Sequence, residues 1–189
     1  MPETFQTVGI VTRLQNYKET SLLSTWLTDR HGILSLLLRG ARRPKQKTFD
    51  PIDLLSRAEI TFQRSRRSDL HTAREIRCLD AQREVATAYP KLLTATYGFE
   101  VIHQLVEPDT PVNELYQLYE KLTGYLKGHP PTTILLDRYE RRVLETLGLP
   151  HHGLSLEQAR QRHYLREPKS WKALAPYLEP LRISLPSSS

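Results

Sequence analysis

The stretch GILSLLLRGARRPKQK, Gly32 to Lys47, joins an apolar run to a burst of positive charge. Ile33-Leu34-Ser35-Leu36-Leu37-Leu38 is short and follows a Gly-containing turn at residues 29–32, so it reads as a buried strand, with Arg39 at its end. Arg39, Arg42, Arg43, Lys45 and Lys47 then place five cations in nine residues, and Gly40 and Pro44 exclude regular structure among them. A strand that delivers its backbone into such a loop holds positive charge against a polyanion. The plainer reading is a solvated basic loop.

Strand patterns lie on both sides of this stretch. Val8, Ile10, Thr12 and Leu14 alternate with Thr7, Gly9, Val11 and Arg13, and a polar turn at Asn16–Thr20 leads to a second strand, Leu22–Thr28. Beyond the basic loop, Leu54, Ser56, Ala58, Ile60 and Phe62 fall on one face of a fourth strand and Arg57, Glu59, Thr61 and Gln63 on the other. A second cationic turn carries Arg64, Arg66 and Arg67. The fifth strand, Leu70–Leu79, alternates imperfectly, with Leu70, Thr72, Ile76 and Cys78 on one face together with Arg74. Five strands within about 80 residues, with no helical segment long enough for a crossover, predict a small antiparallel barrel, and the five-stranded OB-fold is the natural one.

After Asp80 the apolar period becomes helical. Helices are expected from Pro90 to Glu107, from Pro111 to Gly128 and from Thr133 to Leu147, where Gly148 and Pro150 give a stop signal. Ser155 to Gln158 resembles a capping box before a short helix ending near Arg162, and Pro168–Leu178 forms a last amphipathic turn or two. The fold class is therefore α+β: an OB barrel over residues 1–80, a helical domain over 81–180 and a frayed tail over 181–189.

Charge separates the halves. Residues 1–80 hold 14 Lys and Arg against 9 Asp and Glu, and residues 81–189 hold 13 against 12, within a net charge of +6 for 189 residues. That asymmetry points to nucleic acid, or an anionic membrane face, as partner of the first half. One cysteine, Cys78, excludes a disulfide framework and reads as a small buried hydrophobe. The first residues have no signal-peptide pattern and no apolar run approaches the length of a membrane span, so an intracellular, soluble protein is expected.

The order Tyr17-x-Glu19, Leu22-Leu23, Thr28, Gly32 and Arg39-Gly40-Ala41-Arg42-Arg43-Pro44-Lys45 resembles the amino-terminal domain of the bacterial recombination mediator RecO, and the barrel-then-helices layout continues the resemblance to about Pro150. Some RecO proteins carry a four-cysteine zinc site in the helical domain. With Cys78 alone such a site cannot form here, and no cofactor is expected.

The resemblance implies a non-enzymatic, cytoplasmic and nucleoid-associated DNA-handling protein. Such a protein binds single- and double-stranded DNA, anneals strands, contacts the acidic tail of the single-stranded DNA-binding protein SSB, and acts with RecR to load RecA. Arg39, Arg42, Arg43, Lys45 and Lys47 would neutralise phosphates. Arg64, Arg66 and Arg67 would extend that track if both loops share a barrel mouth, with Arg57 and Arg13 completing a groove. Bases stack on aromatic rings in many OB-folds. Phe62 is expected in the core, Trp26 either in the core or at the surface, and Tyr17 and Phe49, in loops, are the stacking candidates. An acidic, apolar-ended tail wants an apolar groove rimmed with cations. Arg138, Tyr139, Arg141 and Arg142 on the third helix, with Lys121, Tyr125 and Lys127 on the second, are candidates, although the arginines also pair readily with Glu140 or Glu145 as a solvated face.

Other classes have weaker support. His151, His152, His163 and Glu157 lack metal-ligand spacing. Asp50 and Asp53 flank Pro51, which suits a capping turn better than a nuclease carboxylate pair. No phosphate-cradling GxxxxGK[ST], GxSxG or GxGxxG is present, which excludes a motor or NTPase and leaves a hydrolase unsupported. The alternative to a mediator is an OB-fold scaffold or RNA-binding module.

Overall fold

The first strand is where the period-2 reading breaks. In the computed structural model, which describes residues 3–43, 47–150, 152–154, 156–163 and 166–178, β1 (Thr4–Tyr17) pairs antiparallel with β4 (Arg57–Gln63) through its first half and with β2 (Ser21–Thr28) through its second. The register slips between Val11 and Arg13, one extra residue in the ladder, and Thr12 Oγ1 donates to the Thr25 carbonyl at 3.1 Å. The slip reverses the faces. Val11 and Leu14 pack in the barrel core, while Ile10 packs on the helices and Arg13 is exposed.

β3 (Gly32–Leu38) pairs with β2, and β5 (Leu70–Asp80) pairs with β4. The barrel closes in the order β1-β2-β3-β5-β4, the seam between β3 and β5 being parallel and the other four antiparallel. It is an OB-type barrel followed by helices. Trp26, Leu34, Leu36, Leu38, Phe49, Ile60, Phe62 and Ile76 fill it. Trp26 is fully buried and its indole N–H donates to Ser24 Oγ at 2.7 Å, so the ring is core. Phe49 is also core, not a stacking platform, because a parallel bridge to Ile76 draws it under the barrel. The fifth strand's irregular pattern is a second bulge. Phe62 faces Ala73 and Thr61 faces Glu75, so Arg74 is the extra residue and His71, Ala73 and Ile76 turn inward. The fourth strand starts at Arg57 because residues 53–56 form a turn, with Leu55 at φ +69 and the Ser56 N–H donating to the Asp53 carbonyl.

A short α1 (Arg83–Ala86) leads to α2 (Tyr89–Leu105), α3 (Asn113–Gly128), α4 (Thr133–Thr146), α5 (Leu156–His163) and α6 (Trp171–Leu174), with a 3-10 turn at Ala175–Tyr177. Pro111 stands just outside α3, whose N-cap is Val112. Thr132 caps α4, its hydroxyl accepting from the Leu135 N–H at 3.2 Å. Gly98 lets α2 approach its neighbours: a Cβ there would stand 2.6 Å from Leu122, and the Tyr139 hydroxyl donates to the Gly98 carbonyl at 2.9 Å. The helical core continues onto the outside of the barrel, where Ile10, Leu27, Ile33 and Leu55 join Tyr97, Ile102, Leu115 and Tyr119 in one buried cluster. Helices therefore cover one part of the outer face of β1–β2–β3 and leave the rest to solvent. None of the described helices is long and apolar enough to cross a membrane.

Candidate nucleic-acid interface

The cationic turn after β3 is fastened to the tip of the β1–β2 hairpin. The Arg42 N–H donates to the Thr20 carbonyl at 2.9 Å, and the Arg43 N–H to that of Gly40 at 3.0 Å. Tyr17, 36% exposed, is paired with Ser21 at this tip, and the Lys18 ammonium lies 5.5 Å from its ring centroid. Arg39, Arg42, Arg43 and Lys47 are all exposed. They form no ion pair among the described residues; Lys45 lies outside these. The cluster thus combines unneutralised charge with one accessible ring.

The second cationic turn does not share that mouth. In the parallel seam Leu70 stands opposite Ser35 and Thr72 opposite Leu37, so the turn of residues 64–69 lies toward the Gly32 end of β3, away from Arg39. Arg64 sits 5.3 Å over the Phe5 ring, and Arg66 and Arg67 are exposed. The two loops instead border one outer face from opposite ends. Arg13, Gln15, Leu23, Thr25, Ser35 and Leu70 line a depression on that face, and the strand from Ser35 to Arg39 is about 13 Å long at the usual rise per residue. In OB-folds this face and its flanking loops take oligonucleotides.

Arg57 belongs to a different contact. Its Nε lies 2.7 Å from Glu120 Oε1 and donates to the Tyr116 hydroxyl at 3.3 Å, which raises its pKa and turns it toward α3. Its charge joins barrel to helices, so it does not complete a groove with Arg13.

Arg13 has other neighbours. It and Thr25 also border a cleft of about 330 Å³ against α2, with Thr96, Glu100, His103 and Gln104 on the helix and Arg166 and Lys169 beyond it. Sequence reading passed over His103, Arg166 and Lys169. The signal available was the basic run Arg166, Lys169, Lys172, which carries no period of its own.

A second groove, of about 490 Å³, runs between α3 and α4. Leu118, Leu122, Tyr125, Leu135 and Tyr139 line it, and Lys121, Arg138, Arg141 and Arg142 rim it. Arg141 pairs with Asp137 at 3.1 Å and Arg142 with Glu145 at 2.8 Å. Lys127 is not part of it. Its ammonium is bound to Asp80 at the end of β5, where that contact holds the Asp80 carboxyl below its ordinary pKa.

Asp50 and Asp53 are occupied structurally. Asp50 Oδ2 accepts from the Cys78 N–H at 2.9 Å and Asp53 Oδ1 from the Leu54 N–H at 2.7 Å. Nearby carboxylates and burial raise the Cys78 thiol pKa, burial first. His163 Nε2 lies 2.6 Å from the Pro150 carbonyl; His151 and the side chain of Glu157 lie outside the described residues. Among the described residues no three His, Cys, Asp or Glu side chains converge as metal ligands would.

Comparison with known proteins agrees with the barrel and the helices that follow it. The family described as "Recombination protein O N terminal" matches residues 1–82. Proteins named DNA repair protein RecO are similar over most of the chain. That of Xanthomonas euvesicatoria pv. vesicatoria is 34% identical over 145 residues, covering 74% of this chain and 57% of the relative. That of Xylella fastidiosa (strain 9a5c) is 34% identical over 151 residues, covering 79% and 59%. That of Chromobacterium violaceum is 30% identical over 191 aligned residues, covering 93% of this chain and 74% of the relative. The chain spans less than three fifths of the length of the first two relatives. Taken with the closed barrel and the helices that follow it, these similarities show that the chain belongs to the RecO family.

Proposed function

We propose that this chain is a non-enzymatic recombination mediator acting in DNA repair. It binds single- and double-stranded DNA on the outer barrel face, anneals complementary strands, and with RecR helps load RecA onto SSB-coated DNA. The observation that carries this reading is the exposed cluster of Arg39, Arg42 and Arg43, without ion pairs among the described residues, fastened beside Tyr17. Lys45 and Lys47 extend it along the chain, and Arg64, Arg66 and Arg67 supply charge at the far end of the same face. Backbone phosphates are the ligand such a surface suits, with little preference for sequence. Annealing and loading require that tolerance.

The groove between α3 and α4 suits the acidic, apolar-ended tail of SSB. Its floor is apolar and aromatic, and Lys121 and Arg138 stand at its rim without an ion pair among the described residues.

The test is binding of a fluorescent single-stranded oligonucleotide across a salt series. Each phosphate contact contributes about 0.7 to the log–log slope for single strands, so replacing Arg39, Arg42, Arg43, Lys45 and Lys47 by Ala should make the slope shallower by up to about 3.5. Equal slopes would remove the loop as the DNA site and favour an OB-fold scaffold.

A further inference from the structure

The cleft between α2 and the outer face of β1–β2 gathers positive charge from both halves of the molecule. Arg13 enters it from the strand side because the bulge after Val11 turns that side chain outward. Arg166 and Lys169 enter from the opposite wall, and that wall is anchored. The Arg166 N–H donates to Gln104 Oε1 at 3.1 Å, the Ser170 N–H and hydroxyl donate to Glu100 Oε2 at 3.0 and 2.7 Å, and Pro168 is buried between them. Glu100 is the single carboxylate among the described lining residues, and one of its oxygens is already engaged by Ser170. Arg13, Arg166 and Lys169 form no ion pair among the described residues.

We propose that this cleft receives the sugar-phosphate backbone of a nucleic-acid strand as it leaves the barrel, with Arg13, Arg166 and Lys169 contacting its phosphates. The inference rests on the DNA-binding reading above and lengthens its track. Two observations favour nucleic acid over an acidic peptide. The cleft is continuous with the outer barrel face, since Arg13 and Thr25 border both depressions. Its lining is mainly Thr, Gln, Arg and Lys, with Phe99 and Pro168 its apolar members, whereas Leu118, Leu122, Tyr125, Leu135 and Tyr139 give the α3–α4 groove a broader apolar floor for a peptide's side chains. The helices would thus contribute to strand binding as well as to the protein contact proposed for α3 and α4.

Labelled oligothymidylate binding across a salt series tests this, with the wild type, R166A/K169A, the charge-keeping R166K/K169R, and R39A/R42A/R43A as a control on the loop. All five sites are on the surface, and unchanged thermal unfolding shows that the variants are folded. The slope of R166A/K169A should be shallower than wild type by about 1.4, two contacts' worth, and R166K/K169R should restore it. A wild-type slope in R166A/K169A alongside a loss in the loop variant overturns the cleft and leaves the loop standing. Wild-type slopes in both variants overturn the underlying reading as well. If a labelled polyglutamate peptide binds wild type and not R166A/K169A while the oligonucleotide slope is unchanged, the cleft belongs to a protein partner and the inference fails.

Discussion

His71 Nε2 stands 3.1 and 3.0 Å from the two carboxylate oxygens of Asp109, while its Nδ1 accepts the Ser65 backbone N–H at 3.2 Å. Since Nδ1 accepts, the proton sits on Nε2 and is donated to Asp109. One buried ring therefore ties the Arg64–Asp69 turn of the barrel to the loop between α2 and α3, and it also stacks on Phe62 at 5.8 Å. Replacing His71 by Ala removes both hydrogen bonds and opens a cavity beside Phe62, an expected loss of about 2–4 kcal/mol. Urea unfolding measures it; a loss below about 0.5 kcal/mol, the size of an ordinary surface change, would show that the turn is held by something else.

The same junction fixes the backbone at Gly32. Its φ is +64, and a Cβ there would stand 1.8 Å from the Thr110 carbonyl oxygen. Both the strain and the clash fall on backbone, which cannot swing away as a side chain can. Gly32→Ala should cost more than about 3 kcal/mol, beyond the common range for single substitutions. Gly124, with open space around its Cβ position in α3, is the control: Gly124→Ala should gain about 0.5–1 kcal/mol by helix propensity. Equal effects of the two changes in chemical denaturation would refute the argument.

How far the sequence reached is clearest on β1. Alternation from Val8 to Leu14 identified a strand, but a period-2 pattern has no term for an inserted residue, and the bulge between Val11 and Arg13 moved Arg13 to the opposite face from the one shared with Val11. The same limitation hid the register of β5 around Arg74. The helices were legible because α3 and α4 are amphipathic with clear ends, and the residues of the α3–α4 groove followed from them. What failed there was Lys127, whose place depends on Asp80, 47 residues away. Arg57 and Phe49 were misjudged for the same reason. Their surroundings are made by Glu120 and by Ile76, and no local pattern encodes a contact across the fold.

Glu140 is completely buried in α4, and the Arg160 guanidinium approaches both its oxygens, at 2.6 and 2.9 Å, while the Tyr97 hydroxyl donates to Oε1 at 2.5 Å. Arg160 also lies 4.5 Å over the Trp171 ring. This network docks α5 against α2, α4 and α6. Glu140→Ala removes the buried carboxylate that engages the Arg160 guanidinium and the Tyr97 hydroxyl, and the expected loss is about 3–5 kcal/mol. Replacing Glu140 and Arg160 together by Leu and Met should recover most of it, because the paired charges are removed as a unit. Thermal unfolding with limited proteolysis around α5 reads both effects. A double variant no more stable than Glu140→Ala would contradict the pairing argument.

His103 gives the cleft a dependence on pH. Burial, then Arg166 and Arg13, hold its imidazole pKa below the usual value, with Glu100 opposing them. In the free protein the folded state takes up this proton less readily than the unfolded chain, so stability falls as the pH drops below about 6.5. A phosphate lying beside Arg13, Arg166 and Lys169 adds negative charge near the ring and opposes the effect of those cations, so binding takes up a proton. Oligonucleotide affinity should then rise as the pH falls from about 8 to about 6, in the interval where an imidazole titrates. His103→Gln keeps a polar side chain and removes the titration. Its affinity should change less over that interval than that of the wild type. Binding isotherms at matched ionic strength make the comparison, and parallel pH profiles for wild type and His103→Gln would separate His103 from the strand.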